Sequence, residues 1–277
     1  RSTLDRSSAA SDVYKRQIFV LADCNNFYVS CERVFNPFLN NKPVVVLSNN
    51  DGCVVSRSNE AKLLGIPMGA PYYKYKQTID ENDVAVFSSN YQLYGDMSER
   101  VMESLKIMAP SLEIYSIDEA FIRLKEIRET DTFNKILNTK KKIFKWTGIP
   151  VSFGIAHTKT LSKIANQIAK KHTATGVFDI RKESICDEII KEMPVEDIWG
   201  ISTNWGKRLR LIGVSTVFEL KKSNPGFIRK HLGVVLERIV YELNGISCLG
   251  LEGESPKKNI MSSKSFGKPI HDLFDIE

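Results

Sequence analysis

The sequence predicts an α+β protein: a ferredoxin-like split βαβ sheet, a small α/β insertion within it, and an all-helical C-terminal part containing a helix-hairpin-helix. Three observations predict it. Apolar runs and amphipathic stretches follow one another as strand, helix, strand, strand, helix, strand, the order of a split βαβ sheet. A second, shorter set of strand and helix signals lies between the first strand and the first long helix. After Gly176 the apolar spacing becomes helical throughout.

Residues 1–17 are rich in Ser and Arg and show no periodicity, so they read as a disordered or non-native leader outside the fold. Ile18-Phe19-Val20-Leu21-Ala22 is an apolar run of strand length that ends on Asp23. Asn25 and Asn26 are candidate N-caps for a helix from Phe27. Val44-Val45-Val46-Leu47 is a second buried strand, followed by a turn at Asp51-Gly52 and an extended Val54-Val55-Ser56. Ser58 to Gly65 reads as a short helix ended by glycine, and Ile66 to Pro71 as a connector. Val84 to Ser88 is a strand. Tyr91 to Met108 is a long amphipathic helix with Tyr91, Leu93, Tyr94, Met97, Val101, Leu105 and Met108 as its apolar stripe, ended by Pro110.

Thr132 to Trp146 is a second amphipathic helix, Val151 to Ala156 a strand and Thr160 to Lys170 a helix. Pro194 to Ser202, leading into Thr203 to Leu211 and Gly213, resembles a helix-hairpin-helix, which points backbone N–H groups at a DNA phosphate. Ser202 stands where the second glycine of that element usually lies, and an ordinary αα-hairpin is the alternative. Pro225 to Gly245 reads as one long helix with Phe227, Ile228, Val235, Ile239 and Leu243 inward. Residues 251–277 are Lys- and Ser-rich, and read as a linker and the start of a further domain.

Composition narrows the class. At 277 residues, 42% hydrophobic and 26% charged, the chain has the make-up of a soluble protein with two or three small cores. No apolar run approaches the ~20 residues that span a bilayer, and the N-terminus has no secretory apolar region. The five cysteines include no C-x-x-C pair, which favours reduced thiols over a zinc site or a disulfide framework. Net charge is +6. The stretch from Lys135 to Lys182 carries eleven basic residues against the single acid Asp179, so it is either a solvated helix face or a surface facing phosphates.

The chemistry concentrates in Ser116-Ile117-Asp118-Glu119-Ala120-Phe121. A lone Asp-Glu pair is usually a solvated turn. Here a third carboxylate, Asp23, ends a buried strand and would be delivered to the same sheet edge. Three carboxylates on adjacent strand ends form a hard-oxygen site suited to Mg²⁺, which keeps waters and substrate phosphates as further ligands. Phe27 and Tyr28 are core aromatics by default, and at one turn from these acids one ring is placed to lie under a bound sugar.

Together these residues are similar to a Y-family translesion DNA polymerase of the UmuC type, the type that forms the catalytic subunit of bacterial DNA polymerase V. The motifs are Asp23-x-Asn25-x-Phe27-Tyr28, the Ser116–Phe121 run, and Gly154-Ile155-Ala156-x-Thr158-Lys159-Thr160-Leu161-x-Lys163. Val46 to Cys53 followed by Glu60-Ala61-Lys62 points to UmuC and away from the DinB branch. The resemblance covers the chain from Ile18 onward. It implies a palm at 18–26 and 88–170, fingers at 27–87, a thumb at 171–250, and a missing little-finger domain with a clamp-binding tail.

The resemblance also implies roles. Asp23 and Asp118 would bridge two Mg²⁺ ions per active site, Glu119 would hold the metal that activates the primer 3′-OH, and the Cys24 carbonyl would complete the other metal. Asn26, Phe27, Tyr28, Ser56, Asn59, Lys62 and Lys163 match nucleotide-binding positions, with Tyr28 as the steric gate against a 2′-OH and Ser56, Lys62 and Lys163 at the triphosphate. Val55 and Gly69 would lie over the nascent base pair, and Gly200, Ile201, Ser202 and Lys207 on the DNA backbone. Asn59 and Lys62 stand where the family often has Tyr and Arg, and lysine offers a point charge where arginine offers a fork. The implied partners are primer-template DNA and dNTP, with a sliding clamp and a UmuD-like subunit for the full-length protein. The implied setting is low-fidelity lesion bypass in the cytoplasm, in the SOS response to DNA damage. The alternatives are a DNA-binding, catalytically impaired homologue or fragment, a non-enzymatic DNA-binding module, and a ferredoxin-like nucleotide cyclase. A dead homologue would keep the fold but lose the acids. The module would rest on the helical hairpin and Lys clusters and not explain Asp23, Asp118 and Glu119. The cyclase would not need the C-terminal helical hairpin.

Overall fold

The computed structural model describes residues 17–48, 50–109, 111–124, 129–252 and 274. The leader and the linker expected at the two ends therefore lie outside the described residues, except for Gln17, Leu251, Glu252 and Phe274; Pro110 lies outside them too. Asn26–Tyr94 forms the body of one compact unit, and the described residues up to Asn25 and from Gly95 to Glu252 form the other.

The second of these is built on a five-stranded sheet. Its strands are β1 (Ile18–Cys24), β5 (Leu112–Ile114), β6 (Glu119–Leu124), β7 (Val151–Ala156) and β8 (Val177–Asp179), in spatial order β5-β6-β1-β7-β8. β1 is antiparallel to both β6 and β7, while β7 and β8 are parallel. The first four strands in this order are those of the expected split βαβ sheet; β8 adds an edge that the sequence reading did not anticipate. Every residue of β1 and of β7 is buried. That burial is why both read as continuous apolar runs and not as alternating ones.

Two helices pack on this sheet, α5 (Glu129–Thr147) and α6 (Lys159–His172). Thr158 caps α6 by accepting from the Leu161 amide. α6 lies unusually close to β7. A Cβ placed on Gly154 would come 2.2 Å from the Asn166 amide and the Ser162 carbonyl. Asn166 uses the proximity to donate from Nδ2 to the carbonyls of Leu21 (3.3 Å) and Ser152 (2.9 Å).

The helical part, α7 (Glu183–Ile190), α8 (Thr203–Leu211), α9 (Val217–Lys222), α10 (Pro225–Leu232) and α11 (Val234–Leu243), shares one apolar core with Ala156, Leu161, Ile164 and Ala165. Glu242 of α11, fully buried, accepts from the Thr160, Cys248 and Leu249 amides and so ties the last helix to the first turn of α6. The single helix expected over Pro225 to Gly245 is in fact two. Gly233, with φ 93°, breaks it, and the change of axis leaves Phe227 and Val235 46% and 59% exposed while Ile228, Ile239 and Leu243 stay inward. The arm before Gly200 is a 3₁₀ turn, Val195–Asp197, in place of the first helix of a full helix-hairpin-helix.

The Asn26–Tyr94 unit has a three-stranded sheet, β2 (Val44–Leu47), β3 (Val54–Arg57) and β4 (Ala85–Ser88), in order β3-β2-β4. Around it lie α1 (Phe27–Phe35), α2 (Asn59–Leu63), α3 (Tyr72–Glu81) and the first turn of α4 (Tyr91–Met108). Ser58 caps α2 by accepting from the Ala61 amide. α3 was not anticipated, because Ile79 is its only buried residue and the rest of its inner face is the two partly buried tyrosines Tyr72 and Tyr75. Among the described residues no helix is long and apolar enough to cross a membrane.

Gly154→Ala should destabilise the chain by about 2–3 kcal/mol, since the new methyl meets backbone that cannot swing aside. Urea unfolding measures it; a loss of under about 0.5 kcal/mol, the range of an ordinary surface substitution, would show that α6 yields freely.

Candidate active site

The register of β1 and β6 sets Asp23 opposite Glu119. β1 delivers Asp23 to the sheet end with only 8% of the residue exposed. The four residues Tyr115 to Asp118 link β5 to β6, and the amides of Tyr115 and Ser116 both donate to the Glu119 carbonyl. Ser116 organises the loop. Its hydroxyl donates to Asp118 Oδ1 (2.6 Å) and accepts from the amides of Asp118 (3.3 Å) and Glu119 (3.0 Å). The Cys24 amide donates to the Asp118 carbonyl (2.9 Å), which pins the loop to the end of β1. On the other side of β1, Ser152 Oγ donates to Asn25 Oδ1 (2.9 Å).

Lysines of α6 neutralise two of the three acids. Lys170 Nζ is 2.6 Å from Asp23 Oδ1. Lys163 Nζ donates to both oxygens of Glu119, at 3.1 and 2.9 Å. The Lys163 ammonium also lies among the rings of Tyr115, Phe121 and Trp199, 4.7, 5.8 and 5.2 Å from their centroids. Burial pushes the Asp23 carboxyl up to about 7; Lys170 opposes the rise and the Glu119 carboxylate adds to it.

Asp23, Cys24, Asp118, Glu119 and Lys163 are thus brought to one end of the sheet. Lys163, which the resemblance placed on a triphosphate, is engaged by Glu119. The residues that the sequence reading missed are Lys170, Ser116 and Trp199. A signal for Lys170 was present, since it follows Lys163 by seven residues and so lies on the same side of a helix. Among the described residues no three His, Cys, Asp or Glu side chains are close enough to hold a metal ion.

The other site residues are described within their own unit. Asn26, at φ 46°, occupies the N-cap position of α1 without capping it. Its side chain instead accepts from Lys62 Nζ (2.6 Å) and donates to Asn59 Oδ1 (3.2 Å), and Lys62 also donates to Asn59 (3.1 Å). Phe27 is buried. Tyr28 is half-buried and stacks on Tyr94, with centroids 4.2 Å apart and planes 13° from parallel. Ser56 is buried near the Val29 amide, Val55 is half-buried, and Gly69, at φ 73°, is exposed. In the helical part, Gly200 has φ 90°, Ile201 is buried, Ser202 caps α8 and Lys207 is exposed.

A ferredoxin-like sheet with carboxylates at its end and an appended helical part is the fold of Y-family DNA polymerases. DinB from Sulfolobus solfataricus superposes with a TM-score of 0.69 at 26% identity, over 85% of this chain and 69% of that one. A chimeric Y-family DNA polymerase gives 0.72 at 26% identity, over 87% and 71%. The chain belongs to the impB/mucB/samB family, whose model matches residues 22–167. It is 47% identical to the protein UmuC of Salmonella typhimurium over 266 residues, 94% of this chain and 62% of that protein's length.

The raised Asp23 carboxyl gives a pH signature. Its ordinary value is 3.8. Between about pH 4 and 7 the folded chain therefore keeps a proton that the unfolded chain has lost, and stability falls as pH rises through that window. Asp23→Asn removes this group, so its urea midpoint should gain on that of the parent steadily from about pH 4 to pH 7. A difference that stays constant with pH would show that Asp23 titrates normally.

Proposed function

We propose that this chain is the catalytic portion of a template-directed DNA polymerase of the low-fidelity, lesion-bypass type, which adds dNTPs to a primer 3′-OH by phosphoryl transfer. The observation that carries the reading is the cross-strand placement of Asp23 and Glu119 beside the Ser116-held Asp118. The donor types, carboxylate and carbonyl oxygens, suit a hard divalent cation, and the three acids would have to stand closer together than they do in this structure to share one. Asp23 and Glu119 face each other on neighbouring strands, Asp23 in a desolvated position, and the two draw two ammonium groups. Asp23, Asp118, Glu119 and the Cys24 carbonyl would hold two Mg²⁺ ions. When bound, these supply charge neutralisation for the attacking and leaving oxygens of the transfer.

The chain's own residues do the rest. Ser116 fixes the Asp118 carboxylate through its hydroxyl, and the Cys24 amide fixes the backbone beneath it. Lys163 and Lys170 balance the acids and provide cations for a substrate's phosphates. Lys62, oriented by Asn26 and Asn59, is a further cation for the triphosphate. Tyr28, held rigid on Tyr94, acts as the gate against a 2′-OH. Within this reading 18–26 and 88–170 are palm, 27–87 fingers and 171–250 thumb. Gly200, Ile201, Ser202 and Lys207 meet the DNA backbone, and Val55 and Gly69 the nascent pair. The full-length protein would work in the cytoplasm in the SOS response, with a sliding clamp and a UmuD-like subunit.

Mg²⁺-dependent primer extension on undamaged and abasic templates tests the proposal. The chain should extend primers distributively, and Asp118→Ala should lower the rate at least 1,000-fold, to about background, with its urea midpoint nearly unchanged; substantial turnover by the variant would refute the assignment. Tyr28→Ala should incorporate ribonucleotides that the parent rejects. Unchanged sugar discrimination in single-nucleotide insertion assays would remove Tyr28 as the gate.

A further inference from the structure

The catalytic reading leaves the lysines of α5 unused. This helix buries Thr132, Ile136, Thr139, Ile143 and Thr147, three or four residues apart, on its inner side. Its outer side carries Lys135, Lys141, Lys142 and Lys145, all exposed. None of the four makes an ion pair among the described residues. Two large rings accompany them: Phe144 and Trp146 are 55% and 52% exposed. On a helix of 3.6 residues per turn, Trp146 follows Lys142 by one turn and Phe144 follows Lys141 by nearly one. The rings therefore border the lysine ridge on its two sides.

Helix-dipole complementarity accounts for part of this, since Lys145 lies in the last turn of α5. It does not account for two aromatic rings left in water beside the charges. Position is the second observation. α5 ends at Thr147, and the chain then enters β7 at Val151, the partner of Cys24; the Asn25 amide donates to the Pro150 carbonyl at 2.8 Å. The C-terminal end of the ridge thus reaches the sheet end that holds the carboxylates. Midway along α5, Lys140 Nζ donates to the Thr175 carbonyl (2.7 Å), which joins the helix to the loop after α6. The last turn of α6 carries Lys170, Lys171 and His172, and Lys170 is the residue on Asp23. Lys140 therefore ties α5 to the chain just after the helix whose Lys170 pairs with Asp23.

We propose that the outer face of α5 holds a segment of single-stranded DNA, with phosphates along Lys135, Lys141, Lys142 and Lys145 and unpaired bases on Trp146 and Phe144. The ridge is about 17 Å long. Stacking selects a single strand, because a duplex presents no free base face to a surface ring. None of these residues is among those proposed to meet primer-template DNA, and the site does not depend on catalysis.

The test is the binding of a dye-labelled short oligothymidylate to the 277-residue chain, followed by fluorescence anisotropy over a salt series. Lys141→Glu/Lys142→Glu/Lys145→Glu should weaken binding at least tenfold and lower the salt slope by about 2, since each phosphate contact on a single strand contributes about 0.7. Phe144→Ala/Trp146→Ala should weaken binding about fivefold or more with the slope unchanged. Parent-like binding by both variants overturns the proposal. So does a slope-only effect in which polyglutamate competes as well as oligothymidylate, which would make the face a site for an acidic peptide. Asp118→Ala should bind oligothymidylate as the parent does, so a failure of extension and a failure of this site are separately visible. Where the charge-reversed chain has a lower melting temperature, Lys141→Gln/Lys142→Gln/Lys145→Gln keeps the ridge neutral, and it should show the same loss.

Discussion

Asp23 and Glu119 face each other on neighbouring strands of a buried sheet, and this like-charge pair is the constraint on which the arrangement around the sheet end depends. Opposed carboxylates on adjacent strands are unfavourable even in water. Here burial removes the solvent that would weaken their repulsion, and Asp23 responds with a carboxyl pushed up to about 7. Such a pair persists only if positive charge is supplied close by. α6 supplies it from one side, with Lys163 on Glu119 and Lys170 on Asp23. It reaches both because its backbone lies directly on β7, at a point where the missing side chain of Gly154 leaves room. The close approach at Gly154 lies on the same helix that carries both cations.

The same helix connects the acids to the C-terminal helices. Its first turn donates an amide to the buried Glu242 of α11, and its apolar side shares a core with the helices that follow. Trp199, from the turn before α8, closes the loop at the other end. Its ring stands edge-on to Tyr115, lies beside Phe121 and covers the Lys163 ammonium, and its indole N–H donates to the Tyr115 hydroxyl (3.1 Å). The helical part is therefore not an appendage to the sheet. It shapes the surroundings of Glu119 directly, through one aromatic side chain and one caged cation.

In the Asn26–Tyr94 unit the chemistry is held by a different device. Asn26 takes a left-handed conformation, which asparagine tolerates better than most residues, and this frees its side chain from capping α1. The amide then orients Lys62 together with Asn59. Tyr28 is fixed by stacking on Tyr94, whose hydroxyl is in turn held by Glu32 (2.7 Å). Both groups are thus held in place by their own neighbours.

Much of this was legible in the residues alone. An apolar run that ends in an acid is the signature of a strand buried on both faces, so β1 and its terminal Asp23 could be read directly; the hairpin acids and the amphipathic α4, α5 and α6 followed from period and punctuation. Other features had a weak local signal or none. α3 buries one residue, and β8 is three residues long and strand-like only because β7 lies beside it. Gly233 reads as an ordinary interior glycine until its φ of 93° shows a break. The sequence by itself determined which residue types were available and on which elements they sat, because period and burial are properties of a single segment. Only the tertiary structure decided that Lys163 meets Glu119 and Lys170 meets Asp23, that Ser116 holds Asp118, and that Trp199 covers the cation. Those pairings join segments far apart in the chain, and their energies exist only once packing has set the distances.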